Sequence, residues 1–248
     1  MIQSKNHHHR FVFHVFLKNL FKNPLLILFL CLSPLMGGMQ GFLSHLQNAW
    51  IQKEWFATVI NLFSAVLPAF PAYFIGLMMS LMSLDERDEG MWNVFQVTPI
   101  QPHTLVKERC IHSFFLASLA FLTMFLTSGP SWVPPWPSLL LGTLFSGMQS
   151  MMYLLALLHV AQDSVKGLVW GKLIGLFLLL PLFNRVLTTP IKIGLFLFPT
   201  AWMERLTQGP TPSPNILGIA LLIHILWLSI LVFPMFSAKT KKFGPQCP

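Results

Sequence analysis

Between residues 24 and 45 the chain reads PLLILFLCLSPLMGGMQGFLSH, without any Asp, Glu, Lys or Arg. A helix needs roughly 20 mostly apolar residues to cross the hydrocarbon of a bilayer, which is about 30 Å thick. This run has that length, and its few polar side chains are uncharged. We therefore expect it to cross a lipid bilayer as a helix.

Five further apolar runs follow along the chain. They cover residues 55–84, 111–127, 137–160, 168–187 and 216–236. The first of these five is longer than a straight crossing needs, and Pro68 and Pro71 are expected to kink it. The sequence thus predicts an all-α integral membrane protein with about six transmembrane helices in a single domain, residues 1–248. Five or seven spans are the alternatives.

Charge content supports the same class. Only 10% of the 248 residues are charged, whereas soluble domains carry about 25%. The formal net charge is +8, but basic residues beside apolar spans are typical of the side that faces anionic cytoplasmic lipid. We therefore expect a lipid bilayer as the partner of the basic residues, and no nucleic acid.

Two segments outside the spans are amphipathic or interrupted. Residues 1–23 place apolar side chains at helical spacing among basic ones, which predicts an interfacial helix; a frayed basic tail is the alternative. Residues 190–206 contain an apolar stretch, 193–198, that is too short to cross the membrane and ends at Pro199. We expect a re-entrant segment there, with its backbone covered by protein.

The distribution of basic residues predicts the orientation. Lys and Arg near span ends are retained on the cytoplasmic side, and six spans with both termini cytoplasmic put twelve of them inside and four outside. We expect a multi-pass protein of the cell (cytoplasmic) membrane. The inner set is Lys5, Arg10, Lys18, Lys22, Arg87, Lys107, Arg109, Lys166, Lys172, Lys239, Lys241 and Lys242, and the outer set is Lys53, Arg185, Lys192 and Arg205.

Few residues could carry bond chemistry. His159 and Asp163 share i, i+4 spacing, but a zinc site needs more ligands than two, so we interpret them as a solvated helix end. His224 in the last span is either an interhelical hydrogen-bonding residue or a polar residue facing a lumen. The sequence has no phosphate loop of the G-x-x-x-x-G-K-[ST] type. Ionisable residues are scarce in the spans, which disfavours a transporter driven by an ion gradient.

The segment after the second span, residues 85–109, differs from the rest. It begins DERDEG, and each of its carboxylates would cost roughly 2.5–3.5 kcal/mol inside hydrocarbon. Trp92 and Phe95 follow and offer an apolar surface beside this negative patch. Thr98 and Pro99 then end the element, since a residue before proline avoids helical geometry. A solvated loop with an acidic cap is the plainer interpretation.

This segment resembles the cytoplasmic signature of type-2 ATP-binding-cassette permeases. In that family an acidic E-x-E-x-G-T segment precedes an L-x-V-T-P-L-S turn, which leads into a short helix ending in Gly-Lys. Here the chain has E-R-D-E-G at 86–90, V-T-P-I at 97–100 and L-V-K-E-R at 105–109. It departs at Met91, Asn93, Gln101 and Glu108. The sequence of this segment is most similar to the branch of fluoroquinolone or multidrug export permeases.

The resemblance implies the membrane subunit of an ATP-driven exporter. Such permeases work as a pair, homodimeric or heterodimeric, with separate ATPase subunits that bind the ATP and Mg²⁺, so this chain would hold no cofactor and catalyse no reaction. The loop between spans 2 and 3 would dock on the ATPase as a coupling helix. A secondary transporter and an intramembrane enzyme are the alternatives. The residues implied in coupling are Glu86, Asp88, Glu89, Gly90, Trp92, Phe95, Thr98 and Pro99.

Overall fold

The computed structural model describes residues 24–49, 54–90, 102–129, 133–187, 193–208 and 213–237. The predicted interfacial helix at 1–23 lies outside these ranges. So does the centre of the predicted coupling segment, residues 91–101. These two predictions therefore stay predictions.

Within the described ranges the chain is helical, with two short 3₁₀ stretches inside spans. The 3₁₀ stretches are Leu67–Ala69 and Leu176–Leu179. The α-helices are α1 (Pro24–Ala49), α2 (Glu54–Val66), α3 (Phe70–Asp88), α4 (Pro102–Thr127), α5 (Trp136–Val160), α6 (Ser164–Gly175), α7 (Leu180–Val186), α8 (Pro199–Gln208) and α9 (Pro214–Ser237).

Six helical stretches are long and apolar enough to cross a bilayer, which confirms the predicted class and number of spans. They are Pro24–Leu46, Glu54–Asp88, Thr104–Thr127, Trp136–Val160, Ser164–Asn184 and Pro214–Phe233. Helical structure extends beyond two of the predicted spans. The second span stays helical through its acidic residues to Asp88, and α4 begins at Pro102, where the sequence also predicts a short helix that leads through Arg109 into the third span.

Span 2 changes its helical geometry at the predicted prolines. Pro68 lies at the start of the 3₁₀ stretch Leu67–Ala69, and Pro71 lies at the start of α3. Each ring removes a backbone N–H and clashes with the preceding turn, so a regular α-helix cannot continue through both positions. Span 5 shows the same effect, because the 3₁₀ stretch Leu176–Leu179 precedes Pro181 at the start of α7.

Helix α5 is the centre of the bundle. It packs against α3, α4, α6, α8 and α9, and Phe145 on α5 is fully buried together with Phe121 on α4. Spans 1, 5 and 6 lie at the periphery, and most of their residues are exposed or only partly buried. A surface of this composition fits hydrocarbon better than water.

Helices α1 and α4 approach each other closely through two glycines. A Cβ at Gly37 would overlap the carbonyl oxygen of Met124, and one at Gly41 would overlap that of Ser128. The hydroxyl of Thr127 donates to the Pro34 carbonyl oxygen at 2.8 Å across the same contact. Small residues four apart allow such backbone contact between membrane helices.

The predicted re-entrant segment contains α8, which is too short to span a membrane. Trp202 on α8 is only 4% exposed, and its indole N–H donates to the Phe196 carbonyl oxygen at 2.7 Å. Helix α8 packs against α5 and α7, so protein covers much of its surface. Its depth in the bilayer stays a prediction.

Candidate coupling site

The last turn of α3 is joined to the first half of α4 by an ion pair. The Glu86 carboxylate accepts a hydrogen bond from the Arg109 guanidinium. The two side chains are 24% and 10% exposed, so water screens this pair less than a surface pair. The ion pair therefore connects the two spans that enclose the predicted coupling loop.

The same turn of α3 also holds the connection between α5 and α6. The Arg87 guanidinium donates to the Ala161 carbonyl oxygen at 2.8 Å. The Asp88 carboxylate accepts from the Ser164 backbone N–H at 2.8 Å. Arg87 thus binds a carbonyl oxygen at the end of span 4, and its neighbour Asp88 binds a backbone N–H at the start of span 5.

Asp163 caps the N-terminus of α6. Its carboxylate accepts the Lys166 backbone N–H at 2.7 Å, and the Lys166 ammonium lies 3.2 Å from the other carboxylate oxygen. The hydrogen bond from the Lys166 backbone N–H, helped by the ammonium, lowers the pKa of the Asp163 carboxyl below its usual value. A charged carboxylate is favourable at this helix end, where backbone N–H groups point outward.

Gly90 follows the end of α3 in a conformation that favours glycine. Its φ is 72°, and its N–H donates to the Arg87 carbonyl oxygen at 3.0 Å. Residues with a Cβ rarely adopt this φ. The preceding residue, Glu89, is exposed, so the chain turns out of the helix with a carboxylate at its surface.

The structure thus brings Glu86, Asp88, Glu89 and Gly90 together at one helix end. The predicted solvated acidic rim differs at Glu86, which is paired with Arg109 inside the protein. The predicted residues Trp92, Phe95, Thr98 and Pro99 lie outside the described residues.

Sequence reasoning missed the intramolecular contacts of this site. It expected a short helix to lead through Arg109 into the third span and assigned Arg109 no partner, and it did not connect Arg87 or Asp88 with the turn at 161–164. One signal was present in the sequence: Arg109 and the acidic run 85–89 lie at the two ends of one short connection between spans 2 and 3, so opposite charges are brought near each other.

A second polar group of residues lies about halfway along α5. The Gln149 side-chain amide donates to the Pro199 carbonyl oxygen at 2.9 Å and to His224 Nε2 at 3.1 Å. His224 Nδ1 faces the Ala220 carbonyl oxygen at 2.8 Å, which fixes the tautomer with hydrogen on Nδ1. The His224 ring also stacks on Phe145, with centroids 4.1 Å apart. The interhelical interpretation of His224 therefore holds, since α5, α8 and α9 meet there.

Among the described residues no group of three His, Cys, Asp or Glu side chains could hold a metal ion. The arrangement at the end of α3 makes a mechanical connection between spans. Three contacts join this helix end to α4 and to the turn between α5 and α6.

A family model described as "Fluoroquinolones export permease protein Rv2686c-like" matches residues 16–233. The chain belongs to this family. The match covers all six spans of this export permease, together with the predicted coupling segment at 85–109 and α8. Membership in the Rv2686c-like family makes the chain a multi-pass transport permease, in agreement with the resemblance found at residues 86–109. No curated protein and no solved structure was found to match it significantly.

Proposed function

We propose that this chain is the permease subunit of an ATP-driven exporter. Two permease subunits form the translocation pathway, and separate ATPase subunits bind ATP and Mg²⁺ and dock on the loop at 85–109. The family description supports the export role. Aromatic drugs of the fluoroquinolone type are the substrate class that this description suggests.

The observation that carries the proposal is the set of contacts made by the last turn of α3. Glu86 pairs with Arg109 on α4, and Asp88 accepts from the N–H of Ser164 at the start of α6. A loop that leaves this turn is therefore connected to spans 2, 3 and 5 by direct contacts. A solvated linker would not require such contacts at its start.

Motion of the loop would reach the spans through these contacts. Closure of an ATPase dimer displaces the docked loop, and the ion pair and backbone hydrogen bonds carry that displacement to three helices together. ATP binding then biases an equilibrium between two packed arrangements of the spans. The permease forms the pathway and transmits the displacement to its spans, while ATP binding to the partner provides the free energy.

Assembly with an ATPase tests the proposal. The chain is co-expressed with candidate ATPases of the same organism, and both co-purification and substrate-stimulated hydrolysis are measured. Trp92→Ala and Phe95→Ala should lower both strongly, because truncation of buried aromatic anchors costs about 2 kcal/mol or more at interfaces. Gly90→Leu should do the same, because its φ disfavours a Cβ.

Glu89→Ala is the matched control in this experiment, since a single surface charge contributes only about 0.2–1 kcal/mol. The isolated permease is expected to hydrolyse no ATP. Saturable hydrolysis by the isolated chain would overturn the proposal. Equal assembly and stimulation for all four variants would remove the loop as the docking element.

A further inference from the structure

The two sides of span 5 differ in what covers them. On one side, a Cβ at Gly167 would overlap the Leu84 side chain on α3, and a Cβ at Gly171 would overlap the Leu77 side chain. The Tyr73 hydroxyl donates to the Gly171 carbonyl oxygen at 2.8 Å across the same contact. This side of α6 is therefore closed against span 2.

The outer side of span 5 carries Lys172 on an apolar face. Leu168, Lys172 and Leu176 are spaced four residues apart, so they lie one above the other along the helix. The two leucines are 48% and 60% exposed, and Val165 on the same side is 73% exposed. Lys172 is exposed as well. Span 5 therefore turns a cation outward among apolar side chains.

Lys172 differs from the other lysine of α6 in its partners. Lys166 donates to the Gln162 side-chain oxygen at 2.9 Å and lies 3.2 Å from the Asp163 carboxylate. The Lys172 side chain makes no ion pair or hydrogen bond within the described residues, and the predicted span at 168–187 contains no Asp or Glu. An ionisable side chain on a membrane span needs water or an anion beside it. The partner of Lys172 is therefore to be sought in the surrounding bilayer.

The direction of α6 brings the Lys172 side chain toward the lipid headgroups. Every Cα–Cβ bond of a helix tilts toward the N-terminus, and α6 begins at Ser164, beside the acidic turn of α3. Lys172 lies about 12 Å along the axis from Ser164, at 1.5 Å per residue. A lysine stem can extend along such a surface and keep its ammonium at the interface. On the predicted orientation this is the cytoplasmic interface, where anionic lipids are concentrated.

We propose that Lys172 binds the phosphate of an anionic phospholipid, whose acyl chains lie against Leu176 and the apolar residues around it. The ammonium supplies charge complementarity, and the exposed leucines supply the apolar contact. A zwitterionic lipid brings its own cation beside the phosphate, so it gains less from Lys172. A second copy of the chain would offer no carboxylate from a span face, because all eight Asp and Glu residues lie outside the six apolar runs. Anionic lipid is therefore the occupant that fits both the charge and the surface.

Lipid binding at this face needs neither ATP nor an ATPase, so its test is independent of the proposed export function. The purified permease is placed in phosphatidylcholine nanodiscs that contain a small fraction of phosphatidylglycerol with a diazirine in one acyl chain. Labelled residues are mapped by mass spectrometry. We expect saturable labelling within residues 165–179. The corresponding phosphatidylcholine probe should label them about fivefold less, which corresponds to about 1 kcal/mol for one lysine near an anionic surface.

Variants of the two lysines separate a bound lipid from general attraction to a basic surface. Lys172→Gln and Lys172→Met remove the charge at an exposed position and should lower labelling by the phosphatidylglycerol probe about fivefold. Lys172→Arg keeps the charge and should retain the labelling. Lys166→Gln is the matched control, because it removes a lysine of the same helix whose ammonium is already paired, and it should leave the labelling unchanged.

Equal labelling by the two probes in the parent chain would overturn the proposal and leave ordinary bilayer lipid on this face. An equal loss for Lys166→Gln and Lys172→Gln would also overturn it, since the attraction would then belong to the basic surface as a whole. Absence of labelling at 165–179 by both probes would overturn it as well and would indicate a second copy or another protein on span 5. None of these outcomes affects the proposed export function, which the ATPase assembly experiment tests separately.

Discussion

At the scale of single residues, Glu86 and Arg109 show that the carboxylates of one acidic motif can lie in different environments. Its outer carboxylates, at Asp85, Asp88 and Glu89, are exposed, while Glu86 turns inward to a cation on the next span. Removing one partner leaves the other charge in a poorly solvated place, which costs more than the pair contributes.

A double-mutant cycle on this pair gives the first prediction. Glu86→Ala and Arg109→Ala should each lower the free energy of unfolding by about 1.5–3 kcal/mol, the range for hydrogen bonds to charged groups. The double variant should lose less than the sum of the two. Thermal unfolding in detergent measures this, with Glu89→Ala as the exposed control; additive losses would contradict the pairing.

At the scale of helices, the contact of α1 with α4 depends on the absence of side chains at one face. Gly37 faces the backbone of α4. A Cβ added at the neighbouring Gly38 would have no obstructing atom within 4 Å. The two glycines are adjacent in sequence, but only Gly37 lies on the face of α1 that contacts α4. They form a natural matched pair for a test.

Gly37→Val is expected to destabilise the protein by about 1–3 kcal/mol or more, the range for overpacked cores, because a backbone carbonyl cannot move aside. Gly38→Val adds the same side chain with the same helix propensity and should be close to neutral. Both are compared by unfolding temperature in detergent. A similar loss for the two variants would mean that propensity, and not helix contact, sets the cost.

The helices themselves were predictable because their signals are local. The apolar runs and the prolines at 68 and 71 act on the residues beside them, so they can be read from the chain without knowing its neighbours. The ion pair joins residues 23 apart, and Asp88 and Ser164 are 76 apart. Such partners depend on how the spans pack, and a single sequence does not contain that packing in readable form.

The end of span 2 shows a second limit of local signals. The carboxylates from Asp85 onward predict where the span leaves the hydrocarbon, and that boundary stays a prediction. Helical geometry continues to Asp88, because charged side chains can point into water while the helix backbone keeps its hydrogen bonds.

At the scale of the whole molecule, the six spans predict which side each connection faces. An even number of spans places both termini on one side, and from the excess of basic residues we expect that side to be the cytoplasm. The contacts of α3 with the turn at 161–164 agree with this count, since both lie at the same end of the bundle.

Cysteine accessibility in intact cells tests the orientation. An impermeant thiol reagent should leave Cys247 unlabelled until the cells are permeabilised. Ser131→Cys, between spans 3 and 4, should be labelled from outside in a chain with Cys31→Ser, Cys110→Ser and Cys247→Ser. Labelling of Cys247 in sealed cells would require an odd number of spans or the opposite orientation.

The contacts at the end of α3 also have a consequence for biogenesis. Arg87 and Asp88 leave the ribosome long before Ala161 and Ser164, so during synthesis their hydrogen-bond partners do not yet exist. This end of span 2 is complete only after four spans have been inserted. A nascent chain that stops before Ala161 therefore leaves the Arg87 guanidinium and the Asp88 carboxylate without these partners.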